Sequence, residues 1–187
     1  MNVLLFNASP KKNGATQAIL DNVARELPPG VSAEILCLGD YNINFCLGEK
    51  RCYETCECIR NDDMLPLLDK IDAADVLVIA APSYWADVPA QFKAFIDRCT
   101  PYSETNPNPA HRTLKPGKRC YGIALRTGTR PAECEHIIET IRHWCGHMQI
   151  DMAGSTYFCG INNESDIVNI ADSLRRAVSE WFGEEQK

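Results

Sequence analysis

"MNVLLFNASPKKNGATQAILDNVARELP" (residues 1–28) decides how this chain is read. Its "NVLLF" (2–6) is a continuous apolar run, the pattern of a strand covered on both faces. Residues 15–27 carry apolar side chains at helical spacing and stop at Pro28-Pro29-Gly30. A polar turn containing Ser9, Pro10, Lys11, Lys12, Asn13, Gly14 and Thr16 joins the two. Strand, turn and helix form the first half of a βαβ unit, and the rest of the chain repeats the alternation.

"SAEILCL" (32–38) is a second strand, followed by a Cys-rich stretch. "DDMLPLLDKIDAA" (62–74) is helical, with Pro66 tolerated only in the first turn. "DVLVIAAP" (75–82) is a third strand. "DVPAQFKAFIDRC" (87–99) is a helix, with Asp87 as N-cap and Pro89 in its first turn. Residues 100–117, rich in Pro, Asn and Thr, form a loop. Then come strand 119–126, helix 131–146, strand 148–158 and helix 164–182. This order predicts an α/β fold: an open, doubly wound parallel sheet with helices on both faces and right-handed connections. It predicts a single domain over residues 1–187, with the Cys-rich loop at about 45–60.

The net charge of −6 argues against a nucleic-acid partner, which calls for a basic footprint. No apolar run approaches the roughly 18–20 residues that span a bilayer, so no membrane partner is expected. The first residues lack the basic and apolar regions of a signal peptide, so the expected location is cytoplasmic. There the ten cysteines should be reduced thiols. Cys37, Cys99, Cys120, Cys134, Cys145 and Cys159 lie in apolar segments and read as small hydrophobes. Cys46, Cys52, Cys56 and Cys58 fall within thirteen residues and form a cluster of their own.

In a doubly wound sheet, ligands bind beyond the carboxyl ends of the strands. The first turn lies at such an end and opens a helix, whose unpaired N–H groups and partial positive charge suit a phosphate. Ser9 and Thr16 add hydroxyls, Gly14 allows close backbone approach, and Lys11 and Lys12 supply charge. Neither G-x-G-x-x-G nor G-x-x-x-x-G-K-[ST] is present. The alternative is a polar loop whose Ser or Asn caps the helix. After the third strand, "APSYWADVPA" (81–90) sets Tyr84 and Trp85 side by side, suited to a flat aromatic ligand, to the 100–117 loop or to a subunit contact. After the fourth, "LRTGTRP" (125–131) offers the backbone of Thr127, Gly128 and Thr129, or is an ordinary turn.

These segments resemble the NADPH-dependent FMN reductase and iron–sulfur flavoprotein family of the flavodoxin-like fold, over most of residues 1–130. Asn7, Ala8, Ser9, Pro10, Lys11, Gly14 and Thr16 fall on the family's G-S-P-R-x-x-G-N-T phosphate segment, with Lys11 for Arg and Ala15 for Asn. Pro82, Tyr84, Ala90, Lys93, Asp97 and Arg98 fall on its P-x-Y-x-x-x-x-x-A-x-x-K-x-x-x-D-R segment. The resemblance implies a five-stranded sheet of order 2-1-3-4-5. It implies FMN held by Ser9, Lys11, Asn13, Gly14, Ala15, Thr16, Pro82, Ser83, Tyr84, Trp85, Thr127 and Gly128. It further implies that Lys93, Asp97 and Arg98 support the helix or a subunit contact, and that the protein is a homodimer or homotetramer.

The family's iron–sulfur members carry C-x2-C-x2-C-x5-C. Cys46, Cys52 and Cys58 fall on its first, third and fourth positions, Glu49 stands on the second, and Cys56 is an extra thiol. A [4Fe–4S] cluster on Cys46, Cys52, Cys56 and Cys58, a zinc ion, a dithiol–disulfide pair and a metal-free loop are the readings of this segment. The implied function is an FMN-dependent oxidoreductase with NAD(P)H as co-substrate and a small molecule or protein as the other electron partner. The flavin does the electron chemistry, so no side chain is assigned as catalytic. The alternative is a non-enzymatic flavodoxin-like electron carrier. A phosphatase-type C-x5-R loop matches only Cys120 to Arg126, inside a predicted strand, and is set aside.

Overall fold

The computed structural model describes residues 1–183; the last four positions of the expected domain lie outside the described residues. Five strands, β1 (Asn2–Asn7), β2 (Ser32–Cys37), β3 (Val76–Pro82), β4 (Arg119–Leu125) and β5 (Asp151–Phe158), form one sheet. All neighbours are parallel, in the order β2-β1-β3-β4-β5. The helices are α1 (Ala15–Glu26), a single turn α2 (Cys52–Thr55), α3 (Met64–Ala73), α4 (Ala90–Asp97), α5 (Ala132–His147) and α6 (Ala171–Phe182).

Strand alternation sorts the apolar residues between two layers. Leu4 and Phe6 of β1, with Leu77 and Ile79 of β3, face α3, α4 and α5. Val3 and Leu5, with Val76 and Val78, face α1 and α6. Phe6 meets Phe92 and Phe95 edge-on at 5.8 and 5.4 Å, which pins α4 to the central strand. On the opposite face Tyr121 stacks on Trp181 at 4.8 Å. Gly154 leaves room for that indole, since a Cβ there would lie 2.9 Å from Trp181 Nε1.

Four segments depart from the sequence expectation. β5 begins at Asp151 rather than 148, because Met148 closes α5 and Gln149 turns the chain with φ 56°. The last helical segment is a 3-10 stretch (Glu164–Ile170), capped by Asn163, which runs into α6. The Cys-rich loop contains the unexpected α2. α4 begins at Ala90, with Pro89 rather than Asp87 as N-cap.

Asp87 instead closes a tight turn. Tyr84 N–H donates to Asp87 O at 2.8 Å, and Asp87 N–H donates to Tyr84 O at 3.1 Å. The two central residues, Trp85 and Ala86, have φ 54° and 66°. That mirror-type turn ordinarily selects Asn and Gly.

Arg98, at the end of α4, reaches back to the start of α3. Its Nη1 and Nη2 donate to Asp62 Oδ2 and Oδ1 at 2.6 and 3.0 Å, and Nη1 also donates to Asn44 O at 2.8 Å. Both side chains are sealed from solvent, at 1% and 0% exposure. Burial pushes the Asp62 carboxyl up. The Arg98 guanidinium, with hydrogen bonds from Asn44 and the Met64 N–H, overrides it and holds the group at about 2.

Two outcomes are expected. The folded Asp62 titrates below its ordinary value of 3.8, so its contribution is complete above about pH 4 and is lost as the pH falls through about 2. Urea midpoints at pH 5 and pH 2 should show the parent losing about 2 kcal/mol more than Asp62→Asn over that interval. An equal loss in both would show that the pair is not the titrating element. Ala86→Gly should raise stability by about 1 kcal/mol, because an L-residue in the left-handed region costs about 1–2 kcal/mol. A lower melting temperature would refute the strain.

Candidate functional site

The β1–α1 turn is folded by its own side chains. Ser9 N–H donates to Asn7 Oδ1 at 3.0 Å, and Lys11 N–H donates to Ser9 Oγ at 3.1 Å. Asn7 is fully buried, and its Nδ2 donates to Gln17 Oε1 at 3.0 Å, tying the turn to α1. Gly14 is the N-cap of α1, in extended conformation, and no side chain caps the helix. Its first N–H groups are therefore left for a ligand, contrary to the reading in which Ser or Asn serves as the cap. The Lys11 stem lies over Gly14: a Cβ there would come within 3.0 Å of it. Lys12 is drawn away into an ion pair with Asp40.

This turn forms one wall of a cleft of about 200 Å³ at the carboxyl edge of the sheet. Ser9, Lys11, Gly14, Ala15 and Thr16 line that wall. Pro82, Ser83 and Tyr84 supply the second wall, Leu125, Arg126 and Thr127 the third, and Ile161, Asn162 and Asn163 the last. Nine of the twelve residues expected from the sequence thus come together. Asn13, Trp85 and Gly128 do not line the cleft: Asn13 and Trp85 are exposed around it. Gly128 has another reason to be glycine, since a Cβ there would collide with the Arg126 guanidinium.

Sequence reading missed Leu125, Arg126, Ile161, Asn162 and Asn163. The signals were present: a charged residue at the carboxyl end of the fourth strand, and an Asn pair just past the end of the fifth. Backbone pairing builds that wall. Arg126 N–H donates to Phe158 O at 3.1 Å, Ile161 N–H to Arg126 O at 2.9 Å, and Gly160 N–H to Gly128 O at 2.9 Å. Ser83 N–H donates to Leu125 O at 2.8 Å, joining the second and third walls.

Ser83 Oγ donates to Glu133 Oε2 at 3.1 Å. Arg126 Nη1 lies 2.9 Å from Glu133 Oε1 and donates to Arg130 O at 2.8 Å. Arg126 Nε is buried without a hydrogen-bond partner among the described residues. An uncapped helix start on one wall and the Arg126 side chain on another give the cleft the chemistry that suits a phosphate-bearing ligand such as FMN. A larger groove of about 400 Å³ runs along α5 past His136, His143 and Trp144. None of the residues lining the β1–α1, β3, β4 or β5 ends of the cleft lines it, and size alone does not make it the site.

The Cys loop lies elsewhere, against α4 and the 100–117 loop. Asn106 Nδ2 donates to Cys52 O at 3.1 Å, and Asn108 Nδ2 donates to Glu54 O at 3.0 Å. Burial raises the Cys52 thiol, and the neighbouring Cys58 and Cys46 thiols raise it further. Cys56 ends α2 in the left-handed region, and Glu49 is 3.9 Å from Arg60. Among the described residues, no three His, Cys, Asp or Glu side chains stand together as a metal site. A four-thiolate cluster on Cys46, Cys52, Cys56 and Cys58 would require the loop to draw these thiols closer together than they stand. Cys120 is buried within β4, which disposes of the phosphatase-type loop.

Residues 1–158 match the family described as NADPH-dependent FMN reductase. The iron-sulfur flavoprotein of Clostridioides difficile is 31% identical over 97% of this chain and 78% of that protein. An iron-sulfur flavoprotein of Archaeoglobus fulgidus is 33% identical over 67% of this chain, and the match spans about half, 54%, of that relative's length. Among solved structures, the NAD(P)H:quinone oxidoreductase from Methanothermobacter marburgensis superposes with a TM-score of 0.72, covering 100% of this chain and 99% of that one. At 18% identity that likeness speaks for the fold alone. With five parallel strands in the order 2-1-3-4-5 and a family match over residues 1–158, this chain belongs to the NADPH-dependent FMN reductase family.

Proposed function

We propose that the chain is an FMN-dependent oxidoreductase that takes electrons from NAD(P)H and delivers them to a small-molecule acceptor. The observation that carries this reading is the cleft, which gathers nine expected residues around an uncapped helix start. The α1 N–H groups, Ser9, Thr16 and Lys11 would hold the phosphate. The Pro82–Tyr84 and Arg126–Thr127 walls would flank the ring. FMN supplies the electron chemistry when bound, and the protein binds it, orients it and sets its electrostatic surroundings. Nicotinamide as donor and a small molecule as acceptor are supported by the family's description and by the FMN-dependent NADH:quinone oxidoreductase 1 of Colwellia psychrerythraea, 30% identical over 80% of this chain and 85% of that protein. The net charge of −6 fits a protein without a nucleic-acid partner. No helix among the described residues is long and apolar enough to cross a membrane.

The reading includes a homo-oligomer. Trp85, Phe45 and Leu47 are large apolar side chains left exposed, and Trp85 stands at the rim of the cleft. Sedimentation equilibrium should give a dimer or tetramer, and Trp85→Glu should weaken it. A monomeric parent would remove this element.

Ser9→Ala combined with Thr16→Ala should weaken FMN binding at least tenfold in a fluorescence titration. Each hydrogen bond to a charged group is worth about 1.5–3 kcal/mol. If the double variant holds FMN as tightly as the parent, the cleft is not the flavin site.

A further inference from the structure

Glu133 does not itself line the cleft, yet it holds two of the cleft's lining groups. One carboxylate oxygen accepts the Ser83 hydroxyl at 3.1 Å, and the other faces Arg126 Nη1 at 2.9 Å. Ser83 follows β3 and Arg126 follows β4, so Glu133, in the first turn of α5, bridges two walls from behind. Lys11 stands on the wall formed by the β1–α1 turn, so Arg126 is the cation of the opposite wall. Arg126 is pinned there on three sides: by Glu133, by Arg130 O and by the bare backbone of Gly128. Its Nε remains unpartnered.

We infer that Glu133 is a positioning residue that sets the flavin's reduction potential, by neutralising Arg126 and fixing Ser83 and Arg126 against the ring. The inference rests on the flavin reading of the cleft. Reduction adds negative charge to the isoalloxazine, so an uncompensated cation beside it favours the reduced form. Glu133 offsets that cation and holds the potential down. Removing the carboxylate charge should raise the potential; removing the guanidinium charge should lower it. A role limited to packing would give no such opposition of sign.

The test is an anaerobic reductive titration of the FMN-loaded protein against dyes of known potential. The parent, Glu133→Gln, Arg126→Gln and the double variant are compared. Glu133→Gln should favour reduced over oxidised FMN by about tenfold more than the parent, which for a two-electron couple is about +30 mV. Arg126→Gln should move the potential the other way, and the double variant should return close to the parent. Single variants that shift in the same direction, or that leave the potential unchanged with FMN still bound, overturn the inference. The Arg126→Gln arm decides the matter if Glu133→Gln does not fold. Should the parent take up no FMN, or the Ser9→Ala/Thr16→Ala variant take it up equally well, the flavin reading and this inference fall together. Tight, turn-dependent FMN binding with unmoved potentials removes the inference alone.

Discussion

The site exists because two neighbouring central strands send their chains to opposite faces of the sheet. β1 and β3 are paired in parallel, with Asn7 opposite Ala80, and the pairing continues to Ala8 N–H on Ala80 O at 2.9 Å. Beyond that point β1 leads into α1, which packs with Leu5 and Val78, while β3 leads into α4, which packs with Phe6 and Ile79. The two exits cannot pack against each other, so a crevice opens between them. The apolar alternation of β1 is what commits α1 and α4 to different layers. Slipping that strand by one residue would exchange Leu4 and Phe6 with Val3 and Leu5 and abolish the arrangement.

A second constraint fixes the other side of the molecule. Taking Arg98 and Asp62 out of water is costly, and their mutual attraction offsets that cost only because the remaining hydrogen-bonding capacity is also used. Asp62 accepts from Arg98, from the Asn44 backbone and side chain, and from Met64 N–H. The pair joins both ends of the Cys-rich loop to α4, since Asn44 and Asp62 bracket it. Asn106 and Asn108 then hold carbonyls in the middle of that loop. The Pro-, Asn- and Thr-rich 100–117 segment is thus a scaffold for the Cys loop rather than a cover for Tyr84 and Trp85.

The sheet was legible in the sequence because every central strand is covered on both faces and so appears as an unbroken apolar run. The helices were legible where one face is buried, as with Ile19, Leu20 and Val23 of α1. Legibility failed where long-range partners decide the local conformation. Asp87 has the composition of an N-cap, but its backbone is claimed by Tyr84. The partner of Arg98 lies 36 residues earlier in the chain, and no local pattern announces it. Arg126 lies just past a strand and Glu133 inside the next helix, so no single element's periodicity marks the pair. The phosphate-type turn was legible because its chemistry is local, carried by the backbone and by side chains within ten residues.

The walls of the cleft are therefore prepared to different degrees. Ser83 is held through its backbone by Leu125 and through its hydroxyl by Glu133, and Tyr84 is locked to Asp87 by two backbone hydrogen bonds. Arg126 is fixed by Glu133, Arg130 and Gly128. Such preorganisation keeps polar groups aimed without further ordering when a ligand arrives. It is strong enough to hold Trp85 and Ala86 in a backbone region that each pays to occupy. Trp85 itself gains nothing from that strain within one chain, because its indole is fully exposed. The polar side chains of the second and third walls are fixed within the single chain. The apolar side is left open there, since Trp85 and Tyr84 keep their rings exposed beside walls that are otherwise set.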